Sequence, residues 1–249
     1  LDENNLPHTD LTVYTDPRLD VSTGRFETPF LDWTVPNALD GWVRDVSNGG
    51  LYLNKKNIPR KADKGSLSNT TQTNSTAKNF HLIRYADVLL WYAETLIELG
   101  QPQQAGEYIN QVRARAANSY VKAVDPATMT EASSTYVLDD KINGKQSTDA
   151  AANYRIGLYP PSQFASKDKA LEALRWERRL ELAMESQRFF DLVRWGIADS
   201  VINTFYKEEA PKRTYYEDAH FEKNRAEYVP IPQQQINFSK QVYKQNYGY

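Results

Sequence analysis

No cysteine occurs among the 249 residues, which excludes disulfides, thiolate zinc sites and cysteine nucleophiles. Long apolar runs are missing too: the longest, Val88 to Ala93, falls far short of the ~18 residues of a membrane-spanning helix. Neither sign of charge is in excess, with 30 Lys and Arg against 32 Asp and Glu and a net charge of -2. A nucleic-acid binder needs a basic excess or patch, so that class is set aside. The three histidines, His8, His81 and His220, lie far apart, and none has a partner at metal-ligand spacing. There is no G-x-G-x-x-G, no P-loop and no G-x-S-x-G, so nothing points to a nucleotide or a serine nucleophile. The opening Leu1-Asp2-Glu3-Asn4-Asn5 carries no initiator Met, basic n-region or apolar h-region. It reads as the start of a mature form or of an excised piece.

Aromatic residues, by contrast, reach 12% of the chain, and 16 of the 30 are Tyr, against a mean hydropathy of -0.69. Tyr is amphipathic, so a polar chain rich in it has surfaces that both stack and donate hydrogen bonds. At 249 residues the chain forms one large domain or two small ones, long enough to bury a core.

Residues 1–79 are loop-rich, punctuated by Pro7, Pro17, Gly24, Pro29, Pro36, Gly41, Gly49, Gly50 and Pro59. Short extended stretches such as Leu11–Tyr14 and Leu51–Leu53 fit between them, but a stable sheet does not. Residues 66–76 are nearly all Ser, Thr and Asn, which predicts a surface loop; Asn69-Thr70-Thr71 and Asn74-Ser75-Thr76 are glycosylation sequons by pattern. From His81 to Leu99 the period becomes helical, with Leu82, Ala86, Leu89, Ala93 and Leu96 on one face and Arg84, Asp87, Trp91, Glu94 and Glu98 on a second stripe. Gly100 stops that helix and Pro102 starts the next, which runs to about Ala117 with Ala105, Ile109, Val112 and Ala116 inward. The short link predicts an antiparallel hairpin over 80–117. Ala93, Gly100 and Ala105 fall where tetratricopeptide repeats place small residues.

Residues 118–160 are looser, containing Asp125-Pro126, Gly144 and Pro160-Pro161. Helices follow over 160–205, the strongest from Lys167 to about Ser186. Residues 206–249 read as an extended C-terminal segment with a short turn of helix, Pro230 and Pro232 excluding a central strand. The predicted class is all-α with minor β, decorated by long loops.

Charge concentrates at 167–194, where 13 of 28 positions are charged. Glu177, Glu181 and Glu185 stand in one line at spacings of four. A carboxylate hydrolase built on Glu181 or Glu185 is one reading, but carboxylates on adjacent turns of one helix cannot flank a sugar ring from opposite sides. Arg175, Arg178, Arg179, Arg188 and Arg194 interleave with them, and Glu185–Arg188 and Asp191–Arg194 are (i, i+3) pairs. The favoured reading is a structural ion network joining helices, drawn from Arg84, Glu94, Arg113, Glu177, Glu181, Glu185, Arg188, Asp191 and Arg194. The loop 26–53 differs in kind. Phe26, Phe30, Trp33, Trp42 and Tyr52 alternate there with Asp32, Asn37, Asp40, Arg44, Asp45 and Asn48. Planar rings beside short amides and carboxylates suit a sugar, whose C–H face stacks while its hydroxyls meet the polar groups. Trp33, Trp42, Asp32, Asn37 and Arg44 are the candidate ligand contacts; the competing role for the two Trp is to anchor the loop on the helices.

Five blocks then resemble a known family. The run His81-Leu-Ile-Arg-Tyr-Ala-Asp-Val-Leu-Leu-Trp-Tyr-Ala-Glu94 resembles the signature helix of the SusD/RagB family of outer-membrane nutrient-binding lipoproteins of Bacteroidetes. Asn110-Gln-Val-Arg-Ala-Arg-Ala116 resembles the next helix, and Glu177-Arg-Arg-Leu-Glu-Leu-Ala-Met-Glu-Ser-Gln-Arg-Phe-Phe-Asp-Leu-Val-Arg-Trp195 the most recognisable run. The ending Gln245-Asn-Tyr-Gly-Tyr249 resembles the C-terminal motif, and Asp16-Pro-Arg-Leu19 with Gly24-Arg25 the opening of this half. Ser186 stands where a Gly is usual and Tyr247 where a Pro is common.

The resemblance implies a SusD-like fold and a non-enzymatic, cofactor-free glycan-binding protein at the cell surface. Its partners would be a glycan and a SusC-like TonB-dependent transporter, into which it passes oligosaccharide. The family's lipidated N-terminal Cys and hairpin-rich N-terminal half are not in the sequence. The chain is therefore expected to be a C-terminal portion whose missing half carries the outer-membrane anchor and is itself a partner. The alternative is a helical-repeat protein–protein interaction module without glycan binding.

Overall fold

The computed structural model describes residues 3–69, 76–125, 129, 136–137, 146–147 and 150–249. Most of the 66–76 loop with its two sequons, the Leu1-Asp2 start, Pro126 and Gly144 lie outside the described residues. The helices are α1 (Arg18–Ser22), α2 (Val46–Gly49), α3 (Tyr85–Glu98), α4 (Pro102–Ala116), α5 (Lys167–Glu181), α6 (Gln187–Arg194), α7 (Ala198–Glu209) and α8 (Gln233–Phe238). The strands are two residues long: β1 (Thr23–Gly24) pairs antiparallel with β2 (Leu53–Asn54), and β3 (Tyr136–Val137) with β4 (Gln146–Ser147). The mostly helical class with minor β matches the expectation. The chain divides into two compact units, Leu1–Ser186 and Gln187–Tyr249, so the helices expected together over 160–205 are shared between them.

In the first unit α3, α4 and α5 enclose one core. Leu90, Ala93, Leu96 and Ile97 meet Ala105, Ile109 and Val112, with Phe164, Ala170, Ala173 and Leu174 completing it. Three residues link α3 to α4. Gly100 adopts φ 77°, a left-handed conformation open to glycine at little cost, and the Gln101 N–H returns to the Leu96 carbonyl at 2.8 Å. Gly106 serves close approach: a Cβ there would lie 2.6 Å from the Phe164 ring.

Two boundaries differ from expectation. α3 begins at Tyr85, leaving Leu82 outside the helix and 76% exposed. Its buried face is Asp87, Leu90, Ala93, Leu96 and Ile97, turned from the expected stripe so that Asp87 comes inward onto Arg178 at 2.8 Å. α5 ends at Glu181 rather than Ser186, because the chain then turns with Met184 at φ 62° and Ser186 at φ 64°. The left-handed region disfavours any side chain with a Cβ, which gives a physical reason to expect glycine to suit position 186. Ser186→Gly is expected to raise stability by about 1 kcal/mol, read as a higher urea midpoint at unchanged slope.

The second unit packs α6 and α7 around Leu192, Ala198 and Phe221. Its last residues clasp the extended stretch 228–231. Ile231, between two prolines, donates its N–H to Gln245 Oε1 at 2.8 Å and accepts from Gln245 Nε2 at 2.9 Å. Asn246 donates to the Val229 carbonyl at 2.7 Å and the Tyr249 hydroxyl to that of Tyr228 at 3.0 Å.

Candidate functional site

Two polar arrangements in the first unit are built by these elements. The first lies at the charged half of α5, whose Glu177 and Glu181 are 0% and 3% exposed. Buried carboxylates persist only when paired and hydrogen-bonded. Arg18 of α1 donates to Glu177 at 2.5 Å and Glu181 at 3.1 Å, and also holds Asp16 at 3.0 and 2.7 Å. Arg113 of α4 meets Glu177 at 2.9 Å, and Arg115 meets Glu181. Arg84 spans Glu181 at 2.5 Å and Glu185 at 2.7 and 2.9 Å, and Lys56 pairs with Glu185. Burial pushes the Glu185 carboxyl up, but bonds from Arg84 and Lys56 outweigh it and hold the pKa below the usual carboxylate value. Burial likewise opposes the charge of Arg18, while Asp16 and Glu177 raise its pKa.

Of the residues expected in the network, Arg84, Arg113, Glu177, Glu181 and Glu185 therefore come together. Glu94 lies half-buried on α3. Asp191 and Arg194, 3.0 Å apart, and Arg188, whose guanidinium lies over the Trp195 ring at 6.0 Å, belong to the second unit. Glu185 is held by Lys56 and Arg84. Arg18, Lys56, Arg115 and the buried Arg178–Asp87 pair were not anticipated as members. The Asp16-Pro17-Arg18-Leu19 motif was the available signal for Arg18.

The second arrangement is the loop 26–64. Trp42 is 39% exposed and meets the buried Phe30 edge-on at 5.5 Å. Trp33 is half-buried: its indole N–H donates to the Pro59 carbonyl at 2.9 Å, and the Lys64 ammonium sits 5.1 Å from its ring centre. The Asp32 carboxylate accepts the N–H groups of Lys61 and Ala62 at 2.7 and 2.9 Å. Burial raises its pKa, but these bonds prevail and lower it. Asn37 Oδ1 accepts from the Leu39 N–H at 2.8 Å, and Asp40 accepts from Asn37 and Trp42 N–H at 2.9 and 2.8 Å. Arg44 is exposed. Trp33, Asp32 and Asn37 thus use polar groups to hold the loop, while Trp42 and Arg44 face solvent.

A cavity of about 500 Å³ opens beside β2, lined by Asp32, Lys55, Arg60, Tyr120, Val121 and Lys122 among others. Of the five expected ligand contacts, only Asp32 lines it. Lys55 was not anticipated, because a lysine defaults to the surface; here it is 4% exposed. Its backbone N–H pairs with the Ser22 carbonyl at 3.0 Å, and its ammonium donates to the carbonyls of Asp20 at 2.7 Å and Pro29 at 2.5 Å. Burial, against the attraction of Asp20, pulls its pKa down to about 8. Between about pH 8 and the unfolded value of 10.5 the unfolded chain holds a proton that the folded chain has released. Stability therefore rises with pH across that window. The rise is at most ~3 kcal/mol, and a urea series comparing wild type with Lys55→Met should show it only in wild type.

Among the described residues no group of three or more His, Cys, Asp and Glu is placed to hold a metal ion, and no helix is long and apolar enough to cross a membrane. The fold and site define a helical scaffold, cross-braced by buried ion pairs, that presents an aromatic loop and a cation-lined cavity. The chain belongs to the SusD family, whose model matches residues 10–249. A SusD-like protein of Formosa agariphila is 32% identical over 124 residues, 50% of this chain and 18% of that one. A SusD superfamily protein of Bacteroides vulgatus is 22% identical with a TM-score of 0.50, covering 94% of this chain and 40% of that one; it supports the fold. A SusD homolog of Bacteroides thetaiotaomicron, 26% identical with a TM-score of 0.48, covers 72% of this chain and 28% of that one. The chain thus spans between about a fifth and two fifths of these relatives' lengths.

Proposed function

We propose that the chain is part of a surface glycan-binding protein that holds an oligo- or polysaccharide at the outer membrane and passes it to a SusC-type TonB-dependent transporter. Family membership over residues 10–249 carries the reading. The site geometry supports it: Trp42 offers an open ring on a loop that also exposes Arg44 and Asn37, the mixture of apolar platform and polar groups that sugars require. The site is the loop bearing Trp33, Trp42, Asp32, Asn37 and Arg44. Glu181 and Glu185 are tied to Arg84, Arg115 and Lys56 and have no freedom for acid–base work, in keeping with a binding protein rather than an enzyme. The lipid anchor at the cell surface belongs to the same proposal, on the longer protein.

The test is a panel of neutral and charged polysaccharides titrated against intrinsic Trp fluorescence. A binding glycan is expected to shift the emission, and Trp42→Ala and Trp33→Ala to weaken affinity by roughly tenfold each. Unchanged affinity in both variants would place the site off this loop. A second reading, a protein-interaction module, is favoured by Tyr85, Val88, Tyr92 and Leu99, which are exposed at helical spacing along α3 and its end. It predicts no response to any glycan in the panel.

A further inference from the structure

We propose that the cavity beside β2 receives the acidic group, carboxylate or sulfate, of a charged oligosaccharide. The inference rests on the glycan-binding reading above and names its substrate class.

Among the described residues three cations, Lys55, Arg60 and Lys122, and one carboxylate, Asp32, line the cavity. Asp32 already accepts two backbone N–H groups, one on each oxygen, and Lys55 and Arg60 alone outnumber it. Lys55 is the centre of the site. An ammonium has three donors; among the described residues two of them go to the carbonyls of Asp20 and Pro29, leaving a third on a side chain that lines the cavity. Those carbonyls supply dipoles but no counter-charge.

The Asp20 carboxylate attracts Lys55 but is bonded elsewhere. It takes two bonds from Arg25, at 2.6 and 2.9 Å, and one from the Tyr154 hydroxyl at 2.7 Å, so its charge is matched to Arg25. Among the described residues Lys55 is thus a nearly buried cation without an anion bonded to it, an arrangement that is costly in a folded chain. An acidic group in the cavity would complete it, in surroundings where a charge-assisted hydrogen bond is at its strongest. A sugar hydroxyl could accept the same N–H but would leave the charge uncompensated. Arg60 and Lys122 are exposed, placed to draw in and orient an anion. Tyr120 and Val121 provide an apolar wall for a ring face.

Calorimetric titration of this chain with two matched pairs of probes tests the proposal. One pair is an oligogalacturonate and its fully methyl-esterified form; the other is a dextran sulfate oligosaccharide and the uncharged dextran. The charged member of at least one pair is expected to bind about tenfold or more tighter than its uncharged partner, with the gap closing as salt is raised. Which pair shows the gap distinguishes carboxylate from sulfate. Arg60→Gln and Lys122→Gln, both at exposed positions, should each weaken the charged probe roughly threefold or more with an unchanged melting temperature. Lys55→Met, with its fold checked by circular dichroism, should remove the remaining preference. Equal binding within both pairs overturns the acidic-group inference, as does charged-probe binding indifferent to all three variants; both leave the glycan reading standing. Failure of all four probes also overturns the inference. The glycan reading falls separately, when the wider polysaccharide panel gives no fluorescence change.

Discussion

Arg18→Met is expected to destabilise the first unit by about 3–5 kcal/mol, a fall in melting temperature of roughly 10 °C or more. The reason is where the charge is left. Arg18 is 5% exposed and bonds Asp16, Glu177 and Glu181 together. Met fills much of the same volume, so packing is largely kept while the charge and its donors are lost. Glu177 then retains Arg113, and Glu181 retains Arg84 and Arg115, but each loses a donor in a place water does not reach. The companion Glu177→Gln should cost less in the Arg18→Met background than in wild type, because it removes the charge that the first substitution orphaned. Additive losses in that double-mutant cycle would mean the two side chains do not act as a pair.

Asp20→Asn is expected to have a similar cost, about 3–5 kcal/mol. Asp20 is fully buried and, among the described residues, the only carboxylate bonded to the 7%-exposed Arg25. An amide at this position keeps the shape but presents an N–H to a guanidinium, so the buried cation has no counter-charge and one bond becomes a clash of donors. Tyr154→Phe removes a neutral partner of the same carboxylate and should cost about 1–2 kcal/mol. Chemical denaturation of the two variants checks the ranking. A loss with Asp20→Asn no larger than with Tyr154→Phe would show that Arg25 finds solvent.

These two clusters also show where local sequence runs out as a guide. α4 was legible because every signal for it is local: Gly100 and Pro102 at the start, then Ala105, Ile109, Val112 and Ala116 at helical spacing. Apolar periodicity sets the wrong phase for α3 because it gives no weight to Asp87, which goes inward to meet Arg178. Glu177, Glu181 and Glu185 declared themselves by spacing, but Arg18 lies 159 residues from Glu177 and Lys56 129 from Glu185, and nothing local announces such a partner. The loop was recognisable from its aromatic and polar mixture. That Asp32 serves the Lys61 and Ala62 N–H groups, and that a buried lysine sits in the adjoining cavity, depends on how the loop closes on β1 and β2.

The long separations within the ion cluster have a temporal consequence. α3 and α4 can meet across three intervening residues early in folding, but Arg18 reaches Glu177 only after most of the first unit has been gathered. Contacts closed at such distance in sequence form late. They hardly change the rate at which the chain finds its fold and act instead on the rate at which it leaves. Arg18 and its carboxylates are thus a latch on the finished unit: it sets how long each molecule stays folded once folding is over.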